Sequence, residues 1–495
     1  MANRPELTLD PPNWDDVRKT GHQMVDDMID LMRDIRQQPV WKPIPEDQQH
    51  RFDELLPHRP QSLESVYRIF KDNILPYGTG NMHPRFWGWV LGNGSHVSMF
   101  AEMLASAMNP NVGLGNQSSV RIEKQVLDWC KQMLNYPKTA SGLLVSGASM
   151  ANLNALLVAR NHQTGGSVRR FGTLAQGKQM VLYCSTETHA CIQKAAEVMG
   201  LGAAAVCKIP VDRSFRIRTD LLEKSIRSDI AGGRLPFCIV GNAGTVNTGA
   251  IDPMDELLAI SRRFGLWFHV DGAFGALAKN VPEYAHELKA LEEADSIAFD
   301  FHKWMHISYE AGCVLIRNAD AHRLTFEQSP NYLLQHERGI SPDIHSSGNY
   351  GIELSRGFKA LKIWMSLKTH GIFAYSALIR QNIAQATHLA EQISQHPSLE
   401  LMAPPGLNIV CFRYIDKKRP PSELQYINRE ILMRLQEKGI AVVSSTIVNG
   451  CYALRASICN HRSKKEDFDL LLEHTVQTGD ELSALEPVKM FAFTR

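Results

Sequence analysis

Charge of one sign is what this chain has least of: 53 Lys and Arg stand against 52 Asp and Glu, a formal net charge of +1. A balance this close offers no basic stripe to nucleic acid and no field to an anionic membrane, which leaves a small molecule as the expected partner. Cysteine is also sparse, nine residues with no C-x-x-C pair among them. An odd, scattered set excludes a disulfide framework and a structural zinc site and reads as small buried apolar side chains. No apolar run approaches the roughly 20 residues that a membrane-spanning helix needs. The segment from Met1 to Asp10 lacks the charged-then-apolar pattern of an export signal, so the expected location is the cytoplasm. Internal repeats and low-complexity tracts are missing too, which argues against a solenoid or a tail-driven interaction protein. What remains is an ordinary globular composition, 44% apolar and 21% charged over 495 residues, long enough for two or three domains.

Trp14, Val17, Met24, Met28, Met32 and Ile35 keep helical spacing until Pro39, Pro43 and Pro45 break it. Leu63, Val66, Tyr67, Phe70 and Ile74 repeat the pattern behind Ser62, a suitable N-cap. Two such helices cannot bury their faces alone, so they must pack on the body of the chain or on a second copy of it. From about residue 85 to 320, short apolar runs at 143–145, 180–183, 237–240, 266–270, 296–299 and 313–316 alternate with amphipathic stretches. Strands apolar on both faces with helices between them predict an α/β unit whose sheet is mostly parallel. Beyond residue 355 a long helical stretch with Gly371 as a break leads to a smaller α+β unit, with strands near 408–414, 440–444 and 452–458 and a helix near 422–438.

Open parallel sheets place ligands at the carboxyl edge of their strands. There the chain reads Ser146-Gly147-Ala148-Ser149-Met150-Ala151-Asn152, Ser185-Thr-Glu-Thr-His189, Gly241-Asn-Ala-Gly-Thr245, Asp271-Gly-Ala273 and Asp300-Phe-His302-Lys303-Trp304. The first is a small-residue turn opening a helix, whose free N–H groups suit a phosphate. Asp271 closes an apolar strand, where burial raises its pKa and calls for a cation or a donor. Lys303, between Phe301 and Trp304, is expected to have a depressed pKa and to be a Schiff-base candidate. Taken singly, each residue has a plainer reading: an ordinary turn, a satisfied structural histidine, a buried Asp271–Lys303 ion pair. Taken together they are the set that pyridoxal 5'-phosphate chemistry needs, a lysine for the aldehyde, a carboxylate for the pyridine nitrogen and a cradle for the phosphate. His189 can then stack on one face of the ring and Ala273 can underlie the other.

These motifs resemble those of the group II pyridoxal-phosphate decarboxylases, which include the aromatic-L-amino-acid, histidine and glutamate decarboxylases, and the likeness covers nearly the whole chain. The resemblance implies a fold-type I transferase-like architecture, pyridoxal 5'-phosphate as cofactor, an amino-acid substrate and an intertwined homodimer. Residues 1–84 would form a helical segment on the partner subunit, 85–370 the cofactor-binding large domain with its mostly parallel sheet, and 371–495 a smaller α+β domain. In the family's terms Lys303 holds the cofactor, Asp271 pairs with the ring nitrogen, and His189 stacks and assists catalysis. Gly147, Ala148, Ser149 and His302 would serve the phosphate, and Thr245 the ring substituents.

Two departures stand out. Asp300 occupies a place where many members carry Asn, and its charge suits a phosphate only if it faces away or is held by donors. The stretch 325–350 looks like a lid, but the tyrosine that family lids present is displaced, leaving Tyr350, His345 or Tyr332 as the proton donor to the α-carbon. For the substrate, His83-Pro-Arg85-Phe86 resembles the acidic-amino-acid decarboxylases, whereas Trp87 and Trp89 offer walls for an aromatic side chain. An apolar pocket rejects a charged side chain unless Arg85 turns inward, so an aromatic substrate is expected. Alternatives are an acidic amino-acid decarboxylase, a decarboxylating aldehyde synthase, an aminotransferase using Arg455 for the carboxylate, and a scaffold that keeps the fold without turnover.

Overall fold

The computed structural model describes residues 6–113, 115–328, 338–339 and 347–485. Its strands, in chain order, are β1 (Phe86–Trp87), β2 (Ser141–Val145), β3 (Met180–Ser185), β4 (Val206–Ile209), β5 (Leu235–Asn242), β6 (Trp267–Asp271), β7 (Ser296–Asp300), β8 (Gly312–Ile316), β9 (Leu399–Leu401), β10 (Ile409–Tyr414), β11 (Val442–Val448) and β12 (Cys451–Ser457). Among the described residues β2 to β8 make a seven-stranded sheet in the order β2-β8-β7-β6-β5-β3-β4. The sheet is mixed and mostly parallel, as the βαβ rhythm requires. β8 alone runs against its neighbours β2 and β7. The link from β7 to β8 carries no crossover helix, and without one a strand can return only antiparallel. That short link holds His302 and Lys303.

Helices cover both faces of the sheet. Ala148–Gln163 packs on one side with Leu143, Leu182, Val240, Trp267 and Ala298. The other side joins Val181, Ile239, Phe268, Val270, Ile297 and Phe299 to Ser118–Met133, Met254–Phe264 and the long Ala360–Gln395 helix. Alternate residues of each strand thus enter opposite cores, which is why the runs read as continuously apolar. Gly371 interrupts the long helix at φ 71°, ψ 157°, a conformation that a side chain disfavours.

The smaller sheet, ordered β1-β11-β12-β10-β9 among the described residues, is backed by Pro421–Glu437 and Lys465–Ser483. Two strands, one in each sheet, escape the sequence pattern. β4, at the edge of the large sheet, is only partly buried, and the exposed Lys208 interrupts its apolar run. β1 pairs with β11 through Phe86 and Val442 and through Trp87 and Val443, so the segment just after residue 85 adds to the small sheet. This corrects the reading of Trp87 as a substrate wall. Its ring is fully buried against Phe468 at 4.7 Å, and its Nε1 donates to Ser463 Oγ at 3.0 Å.

At the N-terminus, Trp14–Asp34 is capped by Asn13, and Leu63–Ile69 by Ser62. Asp27 joins them, accepting from Tyr67 Oη at 2.6 Å and pairing with Lys71 at 2.7 Å. The first helix buries no residue, and Trp14, Ile29, Val66, Ile69 and Ile74 are exposed. Because Trp87 is core, Trp87→Phe should cost about 1–3 kcal/mol through the lost volume and the orphaned Ser463 acceptor, measured by denaturant unfolding. Unchanged stability would return Trp87 to the pocket.

Candidate active site

Five strands, β2, β3, β5, β6 and β7, lead into the expected residues at one edge of the large sheet. β2 ends at the turn Ser146-Gly147, which opens the Ala148–Gln163 helix. The amides of Met150 and Ala151 return to the Gly147 carbonyl at 2.9 and 3.0 Å, so the first-turn amides of Ala148 and Ser149 are those left for an anion. Gly312, paired with Val145 across the strands, lies against this turn. A Cβ on Gly312 would sit 2.5 Å from Gly147 Cα and 2.8 Å from Asp300 Oδ1, so the close approach needs glycine.

β6 ends in Asp271, buried at 5% exposure. Its Oδ1 accepts from the Ala273 amide at 3.2 Å and its Oδ2 from Asn152 Nδ2 at 3.1 Å. Burial pushes the carboxyl up, opposed by Lys303, the Ala273 amide, His189 and Asn152. The Cys191 thiol also lies 4.0 Å from Oδ2 as a weak donor, and Oδ1 keeps a lone pair for one further donor.

His189 follows β3 with its ring exposed, and its Nδ1 accepts from the Cys191 amide at 3.2 Å. Burial of its surroundings is the main cause holding it below the usual histidine range, which favours the neutral ring. Its turn is fixed from β5: Asn242 Nδ2 donates to Thr188 Oγ1 at 2.9 Å and to the buried Asp252 at 2.7 Å. Thr245 is placed differently from a ring contact. Its hydroxyl is buried in its own turn, 3.1 Å from Thr248 Oγ1 and accepting from the Ala250 amide.

Lys303 lies just beyond β7, and its ion pair is with Asp300 Oδ2 at 2.9 Å rather than with Asp271. This corrects the expectation of a depressed pKa. Burial does push Lys303 down, but the Asp300 and Asp271 carboxylates outweigh it and hold the amine above the ordinary lysine range. His302 Nε2 is 3.6 Å from the same Asp300 oxygen, and its ring lies 4.3 Å from that of Tyr309. Asp300 Oδ1 is buried without a partner among the described residues. Asp300 is therefore turned inward with its charge met on one oxygen by Lys303.

Tyr350 has no contact with this group. Tyr350 sits 5.0 Å from His322, edge to face, and its carbonyl accepts from Asn154 at 3.0 Å. It packs on the apolar cluster around the Ala148–Gln163 helix, and its partners are not Lys303, Asp271 or His189. Tyr350 as the lid acid would have to leave His322 to reach the site, and His345 and Tyr332 lie outside the described residues. Asn152, His269, Ser296 and Asn242 form a supporting layer that the motif reading passes over. Its trace in the sequence is Trp267-x-His269-x-Asp271, polar tips at a period of two inside an apolar strand.

This donor set fits pyridoxal 5'-phosphate. Two helix amides and the Ser149 side chain suit the phosphate, Lys303 the aldehyde, and a buried carboxylate with a free lone pair a protonated ring nitrogen. Residues 45–415 match the family model described as the pyridoxal-dependent decarboxylase conserved domain. An aromatic-L-amino-acid decarboxylase of Bacillus atrophaeus is 32% identical over 477 residues, 96% of this chain and 97% of that protein. A phenylacetaldehyde synthase of Arabidopsis thaliana is 28% identical over 92% of this chain and 94% of its own length. The crystal structure of Oryza sativa TDC with PLP and tryptamine superposes with a TM-score of 0.89 at 26% identity, covering 96% of this chain and 100% of that one.

The Asp300–Lys303 pair generates a prediction with a defined sign. A neutral lysine is the nucleophile, and the ion pair favours the charged form. In Asp300→Asn the pair is lost, burial prevails and the lysine pKa falls. Uptake of pyridoxal 5'-phosphate by the apoprotein at pH 7 should then be faster, about tenfold for each unit of pKa lost. Stopped-flow absorbance against pH measures this, and a midpoint unmoved or moved to higher pH would contradict it.

Proposed function

The chain belongs to the pyridoxal-dependent decarboxylase family, and from that premise we propose that it decarboxylates an aromatic L-amino acid to the amine and carbon dioxide. It is an enzyme of amino-acid decarboxylation, with pyridoxal 5'-phosphate as its cofactor. When bound, this group supplies a conjugated cationic ring that takes up the electron pair left by the departing carboxylate. Lys303 would hold its aldehyde carbon, and the amides of Ala148 and Ser149, with His302, its phosphate. Asp271 would hold a proton at the ring nitrogen, and the neutral His189 ring would cover one face opposite Ala273. Proton return to the α-carbon falls to a lid group, for which His345 and Tyr332 are the candidates left once Tyr350 is committed to His322.

One observation carries the substrate class. Arg85, the cation that an acidic side chain would need, donates through Nε to the Ile440 carbonyl at 2.6 Å, on the small-sheet side. Trp89 keeps an exposed ring 6.3 Å from Phe86. Its loop reaches the site, because the Gly92 amide donates to the His302 carbonyl at 3.2 Å. The tryptamine in the Oryza sativa structure and the aromatic substrate named for the Bacillus relative favour the same class. The aminotransferase alternative loses its carboxylate ligand. Arg455 is buried and spends Nε on the Asn247 carbonyl at 3.0 Å, one amino group on Trp89 O and Ser444 Oγ at 3.2 Å each, and the other on Val246 O.

A homodimer follows from the same physics. The exposed apolar faces of Trp14–Asp34 and Leu63–Ile69 have no cover among the described residues, and a second copy would supply one. None of the helices among the described residues is long and apolar enough to cross a membrane. Incubation with L-tryptophan, L-tyrosine, L-phenylalanine and L-glutamate, scored by mass spectrometry, tests the reading. Amine and carbon dioxide should form from the aromatic substrates with kcat/KM at least about 100-fold above that for L-glutamate. Keto acid would mean transamination. Aldehyde with hydrogen peroxide would make the chain an aldehyde synthase like its Arabidopsis relative.

A further inference from the structure

Trp267, His269 and Asp271 alternate along β6 with Phe268 and Val270 and so face one side of the sheet. The Ala148–Gln163 helix covers that side, and the strand register sets Ser296 of β7 against His269. A continuous line of contacts results. Trp267 Nε1 is 2.7 Å from Ser296 Oγ, Ser296 Oγ 2.8 Å from His269 Nδ1, His269 Nε2 2.7 Å from Asn152 Oδ1, and Asn152 Nδ2 3.1 Å from Asp271 Oδ2. The second proton of that amide lies near Cys191 Sγ at 3.2 Å. All five members of the line are buried.

With a neutral imidazole, only one arrangement of protons satisfies this line. The indole of Trp267 can only donate, so Ser296 accepts from it and turns its own proton to His269 Nδ1. Nδ1 is then the lone-pair nitrogen, and Nε2 carries the proton given to Asn152 Oδ1. The amide N–H is left for Asp271, which as a carboxylate can only accept. A reversed amide would set two acceptors face to face at Asp271. A charged imidazolium would donate from both nitrogens and remove the direction of the line, but burial holds His269 at about 3, far below the ordinary histidine range, and so favours the neutral ring.

We propose that Trp267, Ser296, His269 and Asn152 form a one-way hydrogen-bond line that positions Asp271 and keeps its carboxylate charged for the cofactor's ring nitrogen. The inference rests on the reading that Asp271 meets that nitrogen. The four are positioning residues, each acting through Asp271. A donated hydrogen bond offsets the desolvation that would otherwise neutralise the carboxyl.

Titration of apoprotein with pyridoxal 5'-phosphate, followed by visible absorbance, tests the line without turnover; thermal unfolding of each apoprotein reports folding separately. Asn152→Leu and His269→Leu should each weaken cofactor affinity by about tenfold or more, the scale of one hydrogen bond to a charged group. His269→Gln can accept from Ser296 through Oε1 and donate to Asn152 through Nε2, and should stay within about threefold of the parent. In an Asp271→Asn background, Asn152→Leu should add less than about twofold, because the line ends at that carboxylate. Equal losses in the Gln and Leu variants, or Asn152→Leu and Asp271→Asn losses that multiply in full, would overturn the line. If His269→Leu fails to fold, the Asn152 and Asp271 pair of variants still decides. Unaltered affinity and absorbance in Asp271→Asn itself would overturn the placement of Asp271 at the nitrogen, and the line with it.

Discussion

A carboxylate at the dry end of a strand has to be met by donors or it gives up its charge, and Asp271 is the residue around which the large domain is arranged. The turn after β6 bends back so that the Ala273 amide reaches one oxygen, and the helix after β2 leans in so that Asn152 reaches the other. The same Ala273 accepts from the Asp300 amide at 2.9 Å, so the end of β6 is tied to the end of β7, just before Lys303. The reversed strand β8 is part of this arrangement. It brings Gly312 against Gly147 and so holds the phosphate-type turn beside Asp300.

The two carboxylates divide the work by position. Asp300 pairs with Lys303, raising the amine's affinity for its proton, while Asp271 is met by the Ala273 and Asn152 amides and forms no ion pair with the lysine. A single Asp271–Lys303 pair would have spent both groups on each other. Arg455 performs a different service. By collecting carbonyls from Val246, Asn247 and Trp89 it clamps β12 of the small sheet to a large-domain loop and to the segment that presents Trp89. Three parts of the chain that are remote in sequence thereby meet around one buried guanidinium.

Much of this was legible in the sequence because parallel strands announce themselves by length and apolarity and leave their polar residues at one edge. His189, Asp271 and Lys303 could be found that way without knowing how the strands are ordered. What stayed hidden depended on distant partners. Nothing near Trp87 says that Phe468 will cover it, nor that β1 will pair with β11. The apolar neighbours Phe301 and Trp304 suggested a depressed lysine, whereas Asp300, three residues away, decided the sign. Tyr350 fell within a plausible lid, yet His322 claimed its ring. The line behind Asp271 was half visible as Trp-x-His-x-Asp, and its other half needed the register of β7 and the approach of a helix.

The central claim is that Lys303, placed by the β7–β8 return beside Asp300, holds the cofactor. The most direct measurement is borohydride reduction of the purified, cofactor-loaded protein followed by peptide mapping. The account predicts loss of the visible absorbance and a pyridoxyl group on Lys303 alone. The same group on another lysine, or a protein that never takes up pyridoxal 5'-phosphate, would contradict it.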